Sequence, residues 1–475
     1  MHYNSNSHVP VYQMQEANIL KLAQSLLYDR AMVSWNGEWV GAIAAIPKAS
    51  VSEGQGDLNY SEIFIRDNVP VMVYLLLQKK YAAVKNFLTT CLSLQSQTPQ
   101  TRGIFPTSFV EHDGVLVADY GQRAIGRVIS VDATLWWMVL ANAYVKHSGD
   151  RDWAAQPNVQ SGIQKFLDLI LRPSFRDAPT LYVPDGAFMI DRPLDVWGAP
   201  LEIQALLYGA LRGAAALLRF AGSHSQPHTP HDCLSYARVL RRHLLKHYWV
   251  TSKTVQVLRR RPTEQYGTGI QNEYNIQTET IPHWLQEWLG DRGGYLIGNI
   301  RTGRPDFRFF SLGNCLGAIF DVISPNQQQS LFRLVMQNQQ HLVAQMPLRI
   351  CHPPLEDTDW RKKTGYDRKN LPWCYHNGGH WASLTWFLCI AMQRQNHSLP
   401  EDLQYTVKSF LKNCYELMLR QLPDQQWAEY HDGPTAYWIG QQARTYQTWT
   451  IVGFLLMHHF VNAPEGESRV LDLGL

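Results

Sequence analysis

Between Pro200 and Leu218, the apolar residues Ile203, Leu206, Leu207, Ala210, Leu211, Ala214, Leu217 and Leu218 recur at spacings of three and one. Only an α-helix gathers residues so spaced onto one face. Pro200 suits the first turn of that helix. A second stretch, Ala133-Thr-Leu-Trp-Trp-Met-Val-Leu140, is apolar on all sides and must be enclosed by other elements. The same periodicity predicts helices near 11–29, 62–78, 80–95, 130–147, 158–171, 200–221, 229–249, 311–323, 325–343, 378–394, 401–421 and 445–461, with a shorter one near 280–289. Strand-like alternation is confined to short pieces such as Gly114–Ala118 and Thr180–Val183. About a dozen helices is the number expected of six helical hairpins closed in a ring. At 475 residues the chain exceeds the usual single-domain range, which leaves two domains or one large toroid. No Gly/Ser-rich or charged linker divides it, so residues 1–475 are expected to form one mainly α domain.

The connections are uneven. Residues 96–129, 172–199, 262–310 and 346–377 are long, Gly/Pro-rich and full of acids, Arg, His and Trp. Long structured connections in a compact domain are usually functional. In a ring of alternating helices every second connection falls on the same rim, so these segments can meet over one cavity.

Several constellations stand at such positions, each with a plain structural alternative. Asp185, Asp191 and Asp195 crowd ahead of the helix near Pro200, and any one of them alone reads as a turn or cap. Asp191, beside Met189 and Trp197, also has the half-shielded setting that keeps a carboxylic acid protonated near neutral pH. Arg66 and Asp67 precede the run Val71–Leu77, where an acid either caps the helix or grips sugar hydroxyls. Asp132, at the entrance of the all-apolar helix, is a buried cap or a ligand at a cavity floor. Asp306 and Arg308 line a pocket or belong to an aromatic turn packed by its own side chains. His376 and His380 are four apart, but no glutamate follows the first and Gly-Gly interrupts, so no metal is expected. Trp373, Tyr375 and Asn377 make a better sugar platform. Glu429, between Trp427 and Tyr430, is either exposed and idle or employed.

Two carboxyls on separate long loops, aromatic walls and no cofactor motif are the minimal equipment for glycoside hydrolysis. Phosphoryl- and hydride-transfer motifs are missing, as is a G-x-S-x-G elbow. A net charge of +3 with signs interspersed gives no field for a polyanion, so nucleic acid is excluded as a partner; Arg259-Arg260-Arg261 reads as a solvated loop. The aromatic share of 12%, with 16 Trp, fits sugar platforms or a large core. Seven scattered cysteines without C-x-x-C suggest neither disulfides nor zinc. No apolar stretch approaches the about 18 residues of a membrane span, and the amino end lacks a signal pattern. A cytoplasmic location is expected.

Eight ordered blocks between Asn59 and Trp449 resemble the alkaline/neutral invertases of plants and cyanobacteria. They are Tyr-Ser-Glu-Ile-Phe-Ile-Arg-Asp67, Asp119-Tyr-Gly-Gln-Arg-Ala-Ile-Gly-Arg-Val, Met-Ile-Asp191-Arg with Pro-Leu-Glu-Ile-Gln204, Arg292-Gly-Gly-Tyr-Leu-Ile-Gly-Asn, Asp306-Phe-Arg-Phe-Phe-Ser-Leu-Gly-Asn, Trp373-Cys-Tyr-His-Asn-Gly-Gly, Ala-Glu429-Tyr-His-Asp and Gln-Ala-Arg444-Thr-Tyr-Gln-Thr-Trp. The resemblance implies an (α/α)6 barrel that cleaves the α-1,2-β bond of sucrose with inversion and needs no cofactor. It makes Asp191 the general acid and Glu429 the general base, and assigns Asp67, Asp132, Asp306, Arg308, His376 and Arg444 to substrate contact. The chain departs from the family pattern at Pro193-Leu-Asp195, at Gln122 and at His380 with Ala382. Asp195 beside the acid is expected to raise the Asp191 pKa. Rival readings are an inverting glycosidase for another glucoside and a carbohydrate-binding protein without turnover. Exposed faces of ring helices often associate, so a homo-oligomer is expected.

Overall fold

The structure is a computed structural model that describes residues 16–47, 59–123, 127–177, 179–222, 227–258, 281–301, 304–394, 399–463 and 465–474. Twelve long helices dominate it: α1 (Glu16–Ser25), α2 (Asn68–Leu77), α3 (Tyr81–Ser93), α4 (Val131–Ser148), α5 (Pro157–Ile170), α6 (Leu201–Leu217), α7 (Pro230–His247), α8 (Ser311–Ile319), α9 (Pro325–Gln337), α10 (Thr385–Gln393), α11 (Glu401–Gln421) and α12 (Thr448–Asn462).

Burial separates them into two sets. The even-numbered helices are apolar all round: every residue of α2 from Asn68 to Leu76 is buried, and so is every residue of α4 from Asp132 to Val145. Their partners must therefore lie on all sides. The odd-numbered ones carry a stripe. Helix α7 buries only Cys233, Ala237, Leu240 and Leu244, one side of a helix whose other face meets water. Two odd helices start with reciprocal capping boxes, Thr229 with Asp232 on α7 and Ser324 with Gln327 on α9.

The even helices touch in a cycle, α2 to α4, α4 to α6, α6 to α8, α8 to α10, α10 to α12 and α12 back to α2. Glycine permits the close approach: a Cβ at Gly213 of α6 would lie 3.1 Å from the Met138 carbonyl oxygen of α4. Among the described residues one helical stretch is long and apolar enough by composition to cross a membrane, Leu201–Phe220, and it is almost wholly buried in this ring.

The predicted helices match closely at 401–421 and 131–148 and are corrected elsewhere. The one expected from 62 begins at Asn68, after a two-residue strand, Ile63–Phe64. The one expected from 378 begins as a 3-10 turn at Ala382, because His380 is held in a backbone bridge to His431. Leu26–Ala31 continues α1 as a π-helix. The segment 346–377, read as a loop, contains the helix Asp357–Thr364. Residues 11–15 and Arg259-Arg260-Arg261 lie outside the described residues.

Candidate active site

Each even helix is preceded by a connection on the same rim. Five of these connections, ahead of α2, α4, α6, α10 and α12, meet around one half-enclosed cavity. Its wall includes Tyr60, Arg66, Asp67, Ser130, Met189, Asp191, Tyr375, His376, Trp381, Glu429 and Trp449.

Asp191 reaches the cavity on a loop closed by its own acids and glycines. The Asp185 carboxylate accepts the backbone N–H groups of Leu194, Asp195 and Val196 at 3.2, 2.9 and 3.2 Å. This is the turn role that the sequence allows for Asp185. Gly186 stands at φ +84°, a conformation that L side chains rarely adopt, and a Cβ there would crowd the Asp191 carbonyl oxygen at 3.3 Å. Arg192 forks onto Asp367 at 3.0 and 2.9 Å, and Asn370 donates to the Pro193 carbonyl, fixing the far side of the loop. Asp191 is left with 35% of its side chain open, and that opening faces the cavity. Tyr375 donates its hydroxyl to Asp191 Oδ1 at 3.4 Å, and His376 Nδ1 lies 3.6 Å from the same atom.

Glu429, 3% exposed, comes from the connection before α12. Its amide donates to the Arg444 carbonyl at 2.8 Å, the Arg444 amide returns to Oε2 at 3.2 Å, and the Tyr60 hydroxyl donates to Oε1 at 3.4 Å. The Arg444 guanidinium stacks 4.8 Å from the Tyr60 ring. Just upstream, Gln426 and Trp427 both adopt left-handed backbone, φ +54° and +47°. Two consecutive non-glycine residues there are strained. Backbone bonds from Tyr446 to Gln426 (2.6 Å) and from Trp427 to Leu422 (2.8 Å) hold them.

The floor is Arg66. It pairs with the fully buried Asp132 at 2.5 Å and donates to Ser130 Oγ at 2.7 Å.

Burial dominates the electrostatics. It raises Asp191, against the pull of Arg66, Lys369 and Arg192, and it raises Glu429, opposed first by Lys369. Asp67 is pushed up to about 7 by burial, with Arg66 opposing and the Glu429 and Asp191 charges adding. Glu202, whose carboxylate accepts the Met189 amide at 3.3 Å, rises to about 8 by burial and the neighbouring Asp132. His376 is held well below its ordinary value by burial and is neutral. Crowded carboxyls away from bulk water keep at least one proton at neutral pH.

The structure brings Asp67, Asp191, His376 and Glu429 to one cavity and places four other expected residues elsewhere. Asp132 sits behind Arg66 and does not line the wall. Asp306 and Arg308 grip each other at 2.6 Å and face a neighbouring cleft with Asp195 and Arg301. Arg444 supports Glu429 through its backbone. Asp195 does not act on Asp191 as expected: its carboxylate is engaged by Arg301, with Nη2 at 2.7 Å, and by the Trp197 indole at 3.1 Å. Sequence reasoning missed Tyr60, Trp381 and Glu202. All three lie inside or beside the matched blocks, and their only local signal is an aromatic residue ahead of an apolar helix or, for Glu202, an acid in its first turn.

A half-enclosed cavity with carboxyls from opposite connections and aromatic faces between them is the equipment of a carbohydrate-cleaving hydrolase. Solved structures agree on the fold. The chain is similar to a glycosidase (TM-score 0.55, 13% identity, 94% of this chain and 97% of that one) and to mannosylglycerate hydrolase from Thermus thermophilus (TM-score 0.55, 10% identity, 93% and 100%).

A family model for alkaline and neutral invertase matches residues 24–464, and the chain belongs to that family. It is 39% identical to neutral/alkaline invertase 1, mitochondrial, of Oryza sativa subsp. japonica, over 97% of this chain and 74% of the relative. It is 37% identical to alkaline/neutral invertase C, mitochondrial, of Arabidopsis thaliana, over 96% and 68%. The protein is accordingly a sucrose-hydrolysing glycosidase. The expected cytoplasmic location is overturned by these relatives, which are named mitochondrial, and by a rice relative at 36% identity named chloroplastic. Cysteine spacing and hydropathy report on the folded domain and do not encode its address.

Proposed function

We propose that the ring is an (α/α)6 barrel whose cavity hydrolyses sucrose with inversion, Asp191 protonating the departing oxygen and Glu429 activating water. The convergence of these two carboxyls on one cavity wall carries the reading. Two donors on Glu429, the Arg444 amide and the Tyr60 hydroxyl, oppose the rise that burial imposes on it, which is the direction a base requires. Asp191, raised by burial, is suited to hold the proton. Asp67 and His376 line the wall as groups for sugar hydroxyls, and Arg66 holds one face of the bound sugar. Asp132, Arg308 and Arg444 act through the residues they hold.

Sucrose as the substrate is supported by where the chain departs from its family. Pro193, Asp195, Gln122 and His380 do not line the cavity; Gln122 accepts the Tyr120 amide at 2.9 Å and His380 Nδ1 meets the Met346 carbonyl. The wall that touches sugar is thus unaltered by them.

Hydrolysis in oxygen-18 water, followed at once by proton NMR, tests the mechanism. The sugar that acquires the label is expected to appear first as the anomer opposite to its configuration in sucrose. First appearance of the same anomer would mean retention and overturn the assignment. Light scattering of the purified protein tests the expected homo-oligomer, with a monomeric mass as the contrary result.

A further inference from the structure

Two of the cavity's connections, 373–381 and 429–434, lie side by side. His380 and His431 exchange backbone hydrogen bonds of 2.8 Å, the Gly433 amide donates to the Trp373 carbonyl at 2.9 Å, and the Tyr375 amide donates to Asp432 Oδ1 at 3.1 Å. At the end of this seam lies Arg349, fully buried. Its Nη1 donates to the Gly378 carbonyl and its Nη2 to the Pro434 carbonyl, each at 2.6 Å, while Nε donates to the carbonyl of His341. The Trp373 ring lies 4.7 Å from the guanidinium carbon. Among the described residues no carboxylate pairs with it.

A buried cation without a counter-ion is expensive, and burial pulls Arg349 down to about 10. Three carbonyl dipoles and an aromatic face offset that cost. A leucine or methionine would fill the same space with no electrostatic penalty, so packing alone does not explain the residue. What a guanidinium adds is a rigid planar fork that bonds three separate segments at fixed angles, which an ammonium cannot reproduce. Two of those segments carry the site. The Gly378 carbonyl lies just beyond His376, and the Pro434 carbonyl lies a few residues beyond Glu429.

We propose that Arg349 is a positioning residue that fixes the Glu429 connection against the Tyr375–His376 connection, whose Tyr375 hydroxyl and His376 ring meet Asp191, and through them sets the spacing of the two carboxyls. The proposal rests on the acid and base assignment made above. Displacing a reacting group by about 1 Å costs on the order of 100-fold in rate. Arg349→Ala and Arg349→Lys are therefore expected to lower kcat by about that factor, with glucose inhibition changed less than about 2-fold. Added guanidinium ion is expected to restore part of the kcat of Arg349→Ala and none of that of Arg349→Lys. Circular dichroism and thermal melts establish that the variants are folded. Folded variants with unchanged kcat would overturn the proposal, as would equal losses in rate and glucose binding. Should neither variant fold, Arg349 is a folding residue and the positioning role is refuted. Glu429→Gln, assayed in parallel, separates the two claims, since retained activity there would sink the base assignment whatever Arg349 does.

Discussion

At the scale of single residues the two carboxyls stand in different surroundings, Asp191 part-open to the cavity and Glu429 enclosed, yet carry the same expectation for their removal. Asp191→Asn and Glu429→Gln are each expected to lower kcat by about 10²–10⁴ while glucose still protects the protein against heat, as measured by sucrose assay and thermal melts. Wild-type rates in either variant would remove that residue from the chemistry. Glu202 makes a different prediction. Its folded value of about 8 stands above the ordinary 4.5. The unfolded chain loses this proton first, so the group's contribution to stability is complete below pH about 4.5 and is lost as pH rises through about 8. Glu202→Gln cannot ionise, so its melting temperature should fall less than the wild type's between about pH 5 and about pH 9. Parallel pH profiles of the two proteins would count against the buried, protonated carboxyl.

The residue scale also shows why part of the site was legible in the sequence. Asp191 and Glu429 stand in loops beside aromatic residues, and both reach the cavity. Asp306 and Arg308 carry the same local signal and face another cleft, because side-chain direction in a turn depends on partners far away in sequence. Asp132 was visible as a buried acid at a helix entrance. That its partner is Arg66 depends on packing between α2 and α4, which no local pattern encodes. Glu202 looks like an ordinary first-turn acid, and only its enclosure sets it apart.

Among elements, apolar content sorted the helices only in part. The all-apolar run Ala133–Leu140 marked the inner helix α4, whereas α6, buried at every position but Arg212, read from sequence as a one-faced stripe because its alanines and glycines add little to the periodicity. Loops were harder. Their shape comes from hydrogen bonds such as those Asp185 makes to three amides of the acid loop, and from left-handed residues such as Trp427 that sequence does not flag. Asp185→Ala strands those three N–H groups and frees the loop that presents Asp191. A loss of about 10–100-fold in kcat with the helical circular dichroism intact is expected. Full activity would show that the loop is held by its other ties, Arg192 to Asp367 and Asn370 to Pro193.

The whole molecule is closed at the end away from the cavity by Arg394. It donates to the Ile319 carbonyl and pairs with Asp321 at 3.1 Å and Asp472 at 2.7 Å, joining the ends of α8 and α10 to the segment after α12. Lys146 and His147 at the end of α4 reach the carbonyls of Asp472 and Val470 in the same segment. The guanidinium is buried while both carboxylates are partly exposed, and removing it strips the Ile319 carbonyl, Asp321 and Asp472 of a shared partner. Arg394→Ala should therefore melt at a clearly lower temperature and still turn over sucrose at the wild-type rate in the cold. Loss of activity in folded protein would mean that this seal and the cavity are coupled.

Because α12 touches both α10 and α2, the earliest inner helix has no neighbour on one flank until the latest has been made. A nascent chain halted before Thr448 would present the bare apolar sides of Asn68–Leu77 and Thr385–Gln393 to water or to a chaperone. Synthesis of the last stretch is thus what turns a row of greasy rods into an enzyme.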